Sequence, residues 1–300
     1  MSYLNALPGA IAQGMIWGIM AIGVYITYKL LDIADLTVDG SICTGACVFA
    51  VLTVSGVNVW ISMLVAFIAG AVMGLVTGIF HTFMGIPAIL AGILTQLILW
   101  SVNLKILGKS NQSVPSAKYP VVISISGEKW KTILVILAFC AIIIALLYWF
   151  FGTERGCSIR ATGCNINMSK AQGINTNVNK IIGLMLSNGI VALSGALICQ
   201  YQGFADINMG RGAIVIGLAA VIIGEAVFGR ISSNFAVQLS AVIGGGIIYY
   251  IVYQTVIFLG LDTDLLKMFS AIVVAIFLAI PYWKSRYFAK PVRRGGNADA

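Results

Sequence analysis

Charged residues are so sparse along this chain that the uncharged intervals between them delimit its elements. The first Asp, Glu, Lys or Arg is Lys29. Further charge-free runs cover Gly40–Leu104, Thr132–Thr153, Ile181–Ala205, Ile231–Leu261 and Met268–Trp283, and Gly212–Phe228 is broken only by Glu225. A helix needs roughly 20 consecutive, mostly apolar residues to cross the hydrocarbon core of a bilayer. The 65-residue run from Gly40 to Leu104 has room for three crossings, punctuated by the turn signals Gly56-Val57-Asn58 and Gly85-Ile86-Pro87. The pattern predicts nine spans, at residues 9–31, 41–55, 59–80, 87–104, 132–151, 181–201, 212–228, 233–259 and 267–283. The expected fold is an all-α polytopic membrane protein, a single transmembrane domain over residues 1–300.

Small residues recur inside these runs. Ala66, Gly70, Gly74 and Gly78 fall every four residues in the third span, and Gly14 and Gly18 do so in the first. In lipid, where no hydrophobic drive pushes helices together, such residues allow close backbone approach. They suit either static packing or a helix pair that moves. Gly244-Gly245-Gly246 predicts a kink or break in the eighth span. Two segments echo each other: Asp35-Leu-Thr-Val-Asp-Gly40 after the first span and Asp206-Ile-Asn-Met-Gly-Arg-Gly212 after the sixth. In opposite directions across the membrane, they would form an inverted repeat with interrupted helices. In the long loop 105–131, the alternating stretch Tyr119–Gly127 reads as a short hairpin or lid strand, and the loop as a docking surface.

Composition removes whole classes of function. Sixty per cent of the 300 residues are hydrophobic and 9% charged, against about 25% charged in a typical soluble domain, so a soluble enzyme is excluded. The six cysteines have neither a disulfide-scaffold nor a zinc-site spacing. His81 is the sole histidine and has no acid near it in sequence, which argues against catalysis. Gly108-Lys109-Ser110 imitates the end of a phosphate-binding loop, but Asn103 stands where the first glycine is required. The net charge of +8 is divided between two membrane faces, which leaves no nucleic-acid patch.

That division sets the orientation. With the N-terminus outside, Lys29, Arg155, Arg160, Lys170, Lys180, Arg230, Lys284, Arg286, Lys290, Arg293 and Arg294 lie inside, 11 of the 18 Lys and Arg residues. The C-terminus is then cytoplasmic, and the basic tail 284–300 rests against anionic lipid headgroups. Ionisable and amide groups at membrane depth are the candidates for a translocation pathway: Asp39, Gln96, Asn188, Asn208 and Glu225. Asp39 could equally cap the start of its own helix, and Glu225 could sit in a structural ion pair.

The segment 152–180 is the long polar stretch on the inner side. Asn167 is placed to cap a short helix over Met168–Gln172 that Gly173 ends. An exposed helix of that length between two spans suits a grip for another protein. Here the chain resembles the permease subunits of bacterial ABC importers of the branched-chain amino acid and ribose class. The resemblance rests on Arg160-Ala161, Ala171-x-Gly173-Ile174-Asn175 and Leu193-Ser194-Gly195-Ala196-Leu197. Asp35–Ser41, and Ile207-Asn-Met-Gly before Ile216–Glu225, extend it. Among subgroups it looks most like the tryptophan or tyrosine type, encoded with a lipoprotein receptor and one ATPase.

The resemblance implies a two-permease pore, favouring a homodimer, with two cytoplasmic ATPases that bind ATP and Mg and an extracellular substrate-binding lipoprotein. This chain would hold no cofactor and perform no catalysis. Arg160, Asn167, Met168, Lys170, Ala171, Gln172 and Gly173 would then form the coupling helix and its ATPase contact. Asp39 departs from the family's pattern, since many amino acid relatives carry a neutral or histidine-containing motif there. The solute implied is a small polar one, an amino acid and among these an aromatic one, and the scarcity of formal charge in the spans suits a zwitterion or neutral solute. The competing reading is an ion-coupled secondary transporter using Asp39 and Glu225.

Overall fold

The computed structural model describes residues 3–119, 121–125, 128–229 and 234–258, together with isolated helical positions at 268, 271, 272, 275, 276 and 279. The expected ninth span at 267–283, apart from those positions, and the basic tail lie outside the described residues. The elements run α1 (Tyr3–Tyr25), a π-helical turn (Ile26–Leu30), α2 (Val38–Val54), α3 (Val59–Thr82), α4 (Ala88–Leu107), β1 (Asn111–Ser113), α5 (Lys129–Gly152), α6 (Glu154–Cys164), α7 (Ile166–Ala171), α8 (Thr176–Gln202), β2 (Phe204–Asp206), α9 (Ala213–Phe228) and α10 (Phe235–Phe258). Among the described residues, six stretches are long and apolar enough to cross a membrane (residues 6–30, α3, α4, α5, α8 and α10), and α2 and α9 are shorter apolar helices. Each of the first eight expected spans is thus a helix, most of them extending a few residues past the charge-free run. A helix end carries charge into the interfacial zone at no hydrocarbon cost.

Burial sorts these helices into an inner and an outer set. The spanning window of the first stretch is 83% buried and that of α8 72%, whereas that of α5 is 22% buried. α5 carries Leu134, Leu137, Ile142, Leu146 and Trp149 on its exposed face, a surface suited to lipid or another apolar partner. α2 is buried along most of its length and packs against α3, α4 and α8.

Close backbone approach holds the inner set together. α3 lies antiparallel to α8: a Cβ on Gly70 would strike Asn188 and Ala192, one on Gly74 the Leu184 carbonyl, and one on Gly78 would come within 3.0 Å of Ile181. Gly14 and Gly18 of α1 meet α10, where an added Cβ would come within 2.7 Å of Ile247 Cα and 3.0 Å of Ile243 Cα. Gly244, Gly245 and Gly246 do not break α10, which is one continuous helix. Gly245 lies on the Ala220 carbonyl of α9 and Gly246 on Gly14 and Gly18 of α1. The triplet makes room on two sides, and that outweighs its weak helix propensity.

At one end of the bundle, β1 pairs antiparallel with β2, with Gln112 opposite Ala205. The loop after β1 is tied to the same end of α8: Val122 N–H donates to Gln200 Oε1 at 3.0 Å and Ile125 N–H to the Tyr201 carbonyl at 3.1 Å. The expected strand at 119–127 does not form among its described residues; the strand is Asn111–Ser113 instead.

At the opposite end, the polar segment 152–180 folds into two helices rather than one. α6 was not expected, and it contains Gly156 and Gly163. Here Gly156 packs on Phe151, and Gly163 presses on the Leu30 carbonyl at the end of the π-turn. The cap of α7 is Asn165, not Asn167: its side chain accepts from Met168 N–H at 3.0 Å, and the helix runs Ile166–Ala171. Gly173 follows at φ 77°, its N–H donating to the Lys170 carbonyl at 3.0 Å. Asn179, buried near the start of α8, donates to both Ser158 Oγ (2.7 Å) and Thr162 Oγ1 (2.9 Å) of α6.

The small-residue seam predicts a clear asymmetry. Gly74→Leu should cost about 1–3 kcal/mol through overpacking against α8 and lower the thermal midpoint of purified protein in detergent. Val72→Leu, on the exposed face of the same helix, should leave that midpoint in place.

Candidate functional site

α2 begins inside the bundle, with Thr37 and Val38 fully buried, whereas α9 begins at a turn whose Gly212 is exposed; in both, the first backbone N–H groups have no partner within their own helix. The break that leads into α2 supplies its own partner: Asp35 Oδ1 accepts from Thr37 N–H at 2.9 Å. Asp35 Oδ2 accepts from Asn188 Nδ2 at 2.7 Å, Asn188 Nδ2 also donates to the Leu184 carbonyl at 3.0 Å, and Asn188 Oδ1 accepts from Ser41 Oγ at 2.6 Å. Beside it, Thr37, Thr77 and Thr95 form a hydroxyl chain with links of 2.8 and 3.0 Å between α2, α3 and α4. Asn188, expected among pathway candidates, is fully buried and bridges α2, the break before it and its own helix, with both amide hydrogens and Oδ1 engaged within the chain.

Asp39 does not cap its own helix, whose N-cap is Thr37. It caps α9: its carboxylate accepts from Gly212 N–H at 3.0 Å and Ile214 N–H at 2.8 Å. Gly210 lies against the Asp39 carbonyl, where no Cβ would fit. Cys43 Sγ donates to the Ile207 carbonyl at 2.9 Å. The two echoing segments of the sequence thus meet face to face, the first supplying the cap of the helix that follows the second.

Their junction forms one wall of a cavity of about 280 Å³. Asp39, Gly40 and Cys43 come from α2, Ile207 and Arg211 from the turn before α9, and Ile93, Gln96, Leu97, Trp100 and Asn103 from α4. Two of the expected pathway residues, Asp39 and Gln96, come together here. Asn208 is exposed on the adjoining turn and does not line the cavity. Glu225 is far along α9 and forms an ion pair with Lys29 at 2.9 Å, both side chains about half exposed. Trp100, Asn103 and Arg211 were not among the expected pathway residues. Gln96, Trp100 and Asn103 stand at i, i+4 and i+7, one face of a helix, and that spacing of polar and aromatic groups within an apolar run was the available signal. Asn103 is 1% exposed and its Oδ1 has no hydrogen-bond partner, a condition that costs about 1–3 kcal/mol in a folded protein. Among the described residues the Arg211 guanidinium forms no ion pair.

The residues expected to contact an ATPase divide into two groups. Asn167, Met168, Lys170, Ala171, Gln172 and Gly173 are all exposed, while Ser169 between them is buried. Arg160 is occupied within the chain: its guanidinium donates to the Phe151 carbonyl at 3.1 Å and lies 5.9 Å above the Phe235 ring. A second cavity, of about 370 Å³, lies behind α7 and is lined by Ile166, Gly163, Asp32, His81 and Lys180 among others. His81 Nδ1–H donates to the Ile86 carbonyl at 2.9 Å, and Lys180 Nζ lies 3.3 Å from His81 Nε2. The one histidine thus fastens a turn to α8.

Residues 7–280 match the family described as branched-chain amino acid transport system / permease component. The chain belongs to that permease family. A tyrosine transport system permease protein of Clostridioides difficile is 40% identical over 276 residues, 92% of this permease and 91% of the relative. Protein RP368 of Rickettsia prowazekii is 34% identical over 279 residues, 92% of this permease and 98% of the relative. The autoinducer 2 import system permease protein LsrC of Yersinia pestis is 30% identical over 214 residues, 69% of this permease and 58% of LsrC. The fold is similar to that of a chain in the structure of PsaBC from Streptococcus pneumoniae in complex with Fab, with a TM-score of 0.53 at 17% identity, over 96% of the permease and 95% of that chain. The permease is a multi-pass protein of the bacterial cell membrane and the membrane component of a transport system.

The cap across the junction is open to direct test. Asp39→Ala should destabilise the permease by about 1 kcal/mol and speed hydrogen exchange at the Gly212 and Ile214 amides, with Asp39→Asn, which keeps an acceptor oxygen, less affected. Unchanged exchange at both amides in Asp39→Ala would mean that the carboxylate is not their partner.

Proposed function

We propose that the permease is the membrane subunit of an ATP-driven ABC importer that carries a small amino acid, an aromatic one in the first instance, into the cell. Two copies form the pore, two cytoplasmic ATPases bind and hydrolyse ATP with Mg below it, and an extracellular binding lipoprotein delivers the solute above. α7 is the coupling helix, and the N-terminus is outside. Closure of the ATPase pair moves the two α7 helices and shifts the pore between inward-facing and outward-facing states, a two-state element biased by its partner.

The observation that carries this reading is the surface of α7 and the residues after it. Asn167, Met168, Lys170, Ala171, Gln172 and Gly173 are turned outward, with Met168 60% exposed. Ser169 and the Asn179 bridge fix the segment to the bundle behind them. An apolar side chain held outward on a rigid polar segment is suited to insertion in a partner's cleft. The amino acid assignment is supported by the tyrosine transport system relative, 40% identical along nearly its whole length. Ion coupling loses its two acids: Asp39 is the cap of α9, and Glu225 is paired with Lys29. Arg160 is better read as a brace for α6 than as an ATPase contact.

Uptake into vesicles should require internal ATP and persist with an uncoupler. Uptake that follows an ion gradient with no ATPase bound would defeat the proposal. Gly173→Pro removes the N–H that closes the turn and forbids positive φ. Met168→Glu puts a charge at the tip of α7. Both should leave the protein inserted and ATP hydrolysis running while uptake falls, read by assaying the two rates on the same proteoliposomes.

A further inference from the structure

We propose that the cavity between α2, α4 and the turn before α9 is a binding site for an α-amino acid zwitterion with an apolar or aromatic side chain. Arg211 takes the carboxylate, Asp39 and Asn103 Oδ1 take the ammonium, and Trp100 faces the side chain. The assignment rests on the transport reading above and adds to it the residues that hold the solute on its way through.

Asn103 Oδ1 is the first observation. It is buried, lines the cavity and has no hydrogen-bond partner. An amide oxygen can only accept, so the missing partner is a donor. Charge is the second. Asp39 and Arg211 line one cavity of about 280 Å³ yet form no ion pair with each other. Asp39 is held in place by two backbone N–H groups, one on each carboxylate oxygen, and each oxygen keeps further lone-pair capacity. Separated opposite charges on one wall complement a ligand that carries both, at a fixed spacing and with no net charge. The rest of the lining is the third. Ile93, Leu97, Trp100 and Ile207 offer apolar and aromatic surface, and the volume is near the lower end of ligand sites, roughly 300–1,000 Å³. Such a cavity has room for one small zwitterion.

The test uses the purified full-length permease, without ATPase or receptor, carrying Leu97→Cys in a background where the exposed Cys157 and Cys164 and the cavity-lining Cys43 are changed to Ser. Labelling of Cys at position 97 by a methanethiosulfonate reagent is timed with L-phenylalanine, with phenethylamine, which lacks the carboxylate, and with 3-phenylpropionate, which lacks the ammonium. L-phenylalanine should slow labelling by roughly tenfold, the scale of one charge-assisted contact. The two single-charge analogues should not slow it. Adding Arg211→Gln or Asn103→Leu should abolish protection while the ligand-free labelling rate stays the same, and Arg211→Lys should restore part of it. Equal protection by all three compounds, or none by L-phenylalanine, would overturn the site. If Arg211→Gln labels at a new rate without ligand, its fold has changed, and the three-compound comparison in the parent protein decides alone. Because labelling needs no ATP, its failure is separate from a failure of ATP-dependent uptake, which would overturn the importer reading instead.

Discussion

The first backbone N–H groups of a helix have no partner within it, and a group elsewhere in the protein can accept them. In this permease the acceptor for α9 is a carboxylate from α2, Asp39, reaching across 173 residues of sequence. Much of the central architecture follows from that requirement. For Asp39 to reach Gly212 and Ile214, the turn before α9 must lie on the first turn of α2, which Gly210 permits by carrying no side chain toward the Asp39 carbonyl. For α2 to begin there, the preceding break must be satisfied from within, by Asp35 on Thr37 and Asn188. The polar residues at this depth are mostly consumed in satisfying the backbone and one another. Asn103, Gln96 and Arg211 face one cavity together with Asp39.

Packing supplies the rest. Because lipid tails compete on equal terms with apolar side chains, the helices gain from contact area and close approach rather than from escape from water. α8 is the hub, with Gly74 of α3 and Gly45 of α2 set against its backbone on different sides and Ser194 Oγ donating to the Ile16 carbonyl of α1 at 2.8 Å. α10 repeats the device with its glycine triplet between α1 and α9. The outer helices α4 and α5 contribute fewer buried residues and more exposed Leu, Ile and Trp.

The spans were legible because hydrocarbon tolerates almost no charge, so the boundaries are written in the positions of Lys, Arg, Asp and Glu. Their ends were less so, since an interface accepts charge. What could not be read were choices made by distant neighbours. Gly244–Gly246 look like a weak point from local propensity and prove to be a contact surface. Gly156 and Gly163, weak helix formers by propensity, are packing sites within α6. Asn165 and Asn167 are equally good caps in isolation, and the end of α6 decides between them. Asp39 has the composition of a local cap and serves a remote one. Of the candidate site, Asp39 and Gln96 were visible as polar groups in apolar runs, whereas Arg211, in a turn assigned to the exterior, acquired a role only when the turn folded back onto α2.

Asn179 has a mechanical consequence. One buried amide donates both its hydrogens to hydroxyls on successive turns of α6, Ser158 and Thr162, and Gly163 sits against the backbone just beyond α1. A single bond at such a joint would act as a pivot; two, spaced along an axis, resist both sliding and twist. The polar segment is consequently a bracket rather than a rope. Load applied at its tip arrives at α8 and at the end of α1 as displacement, with little lost in slack.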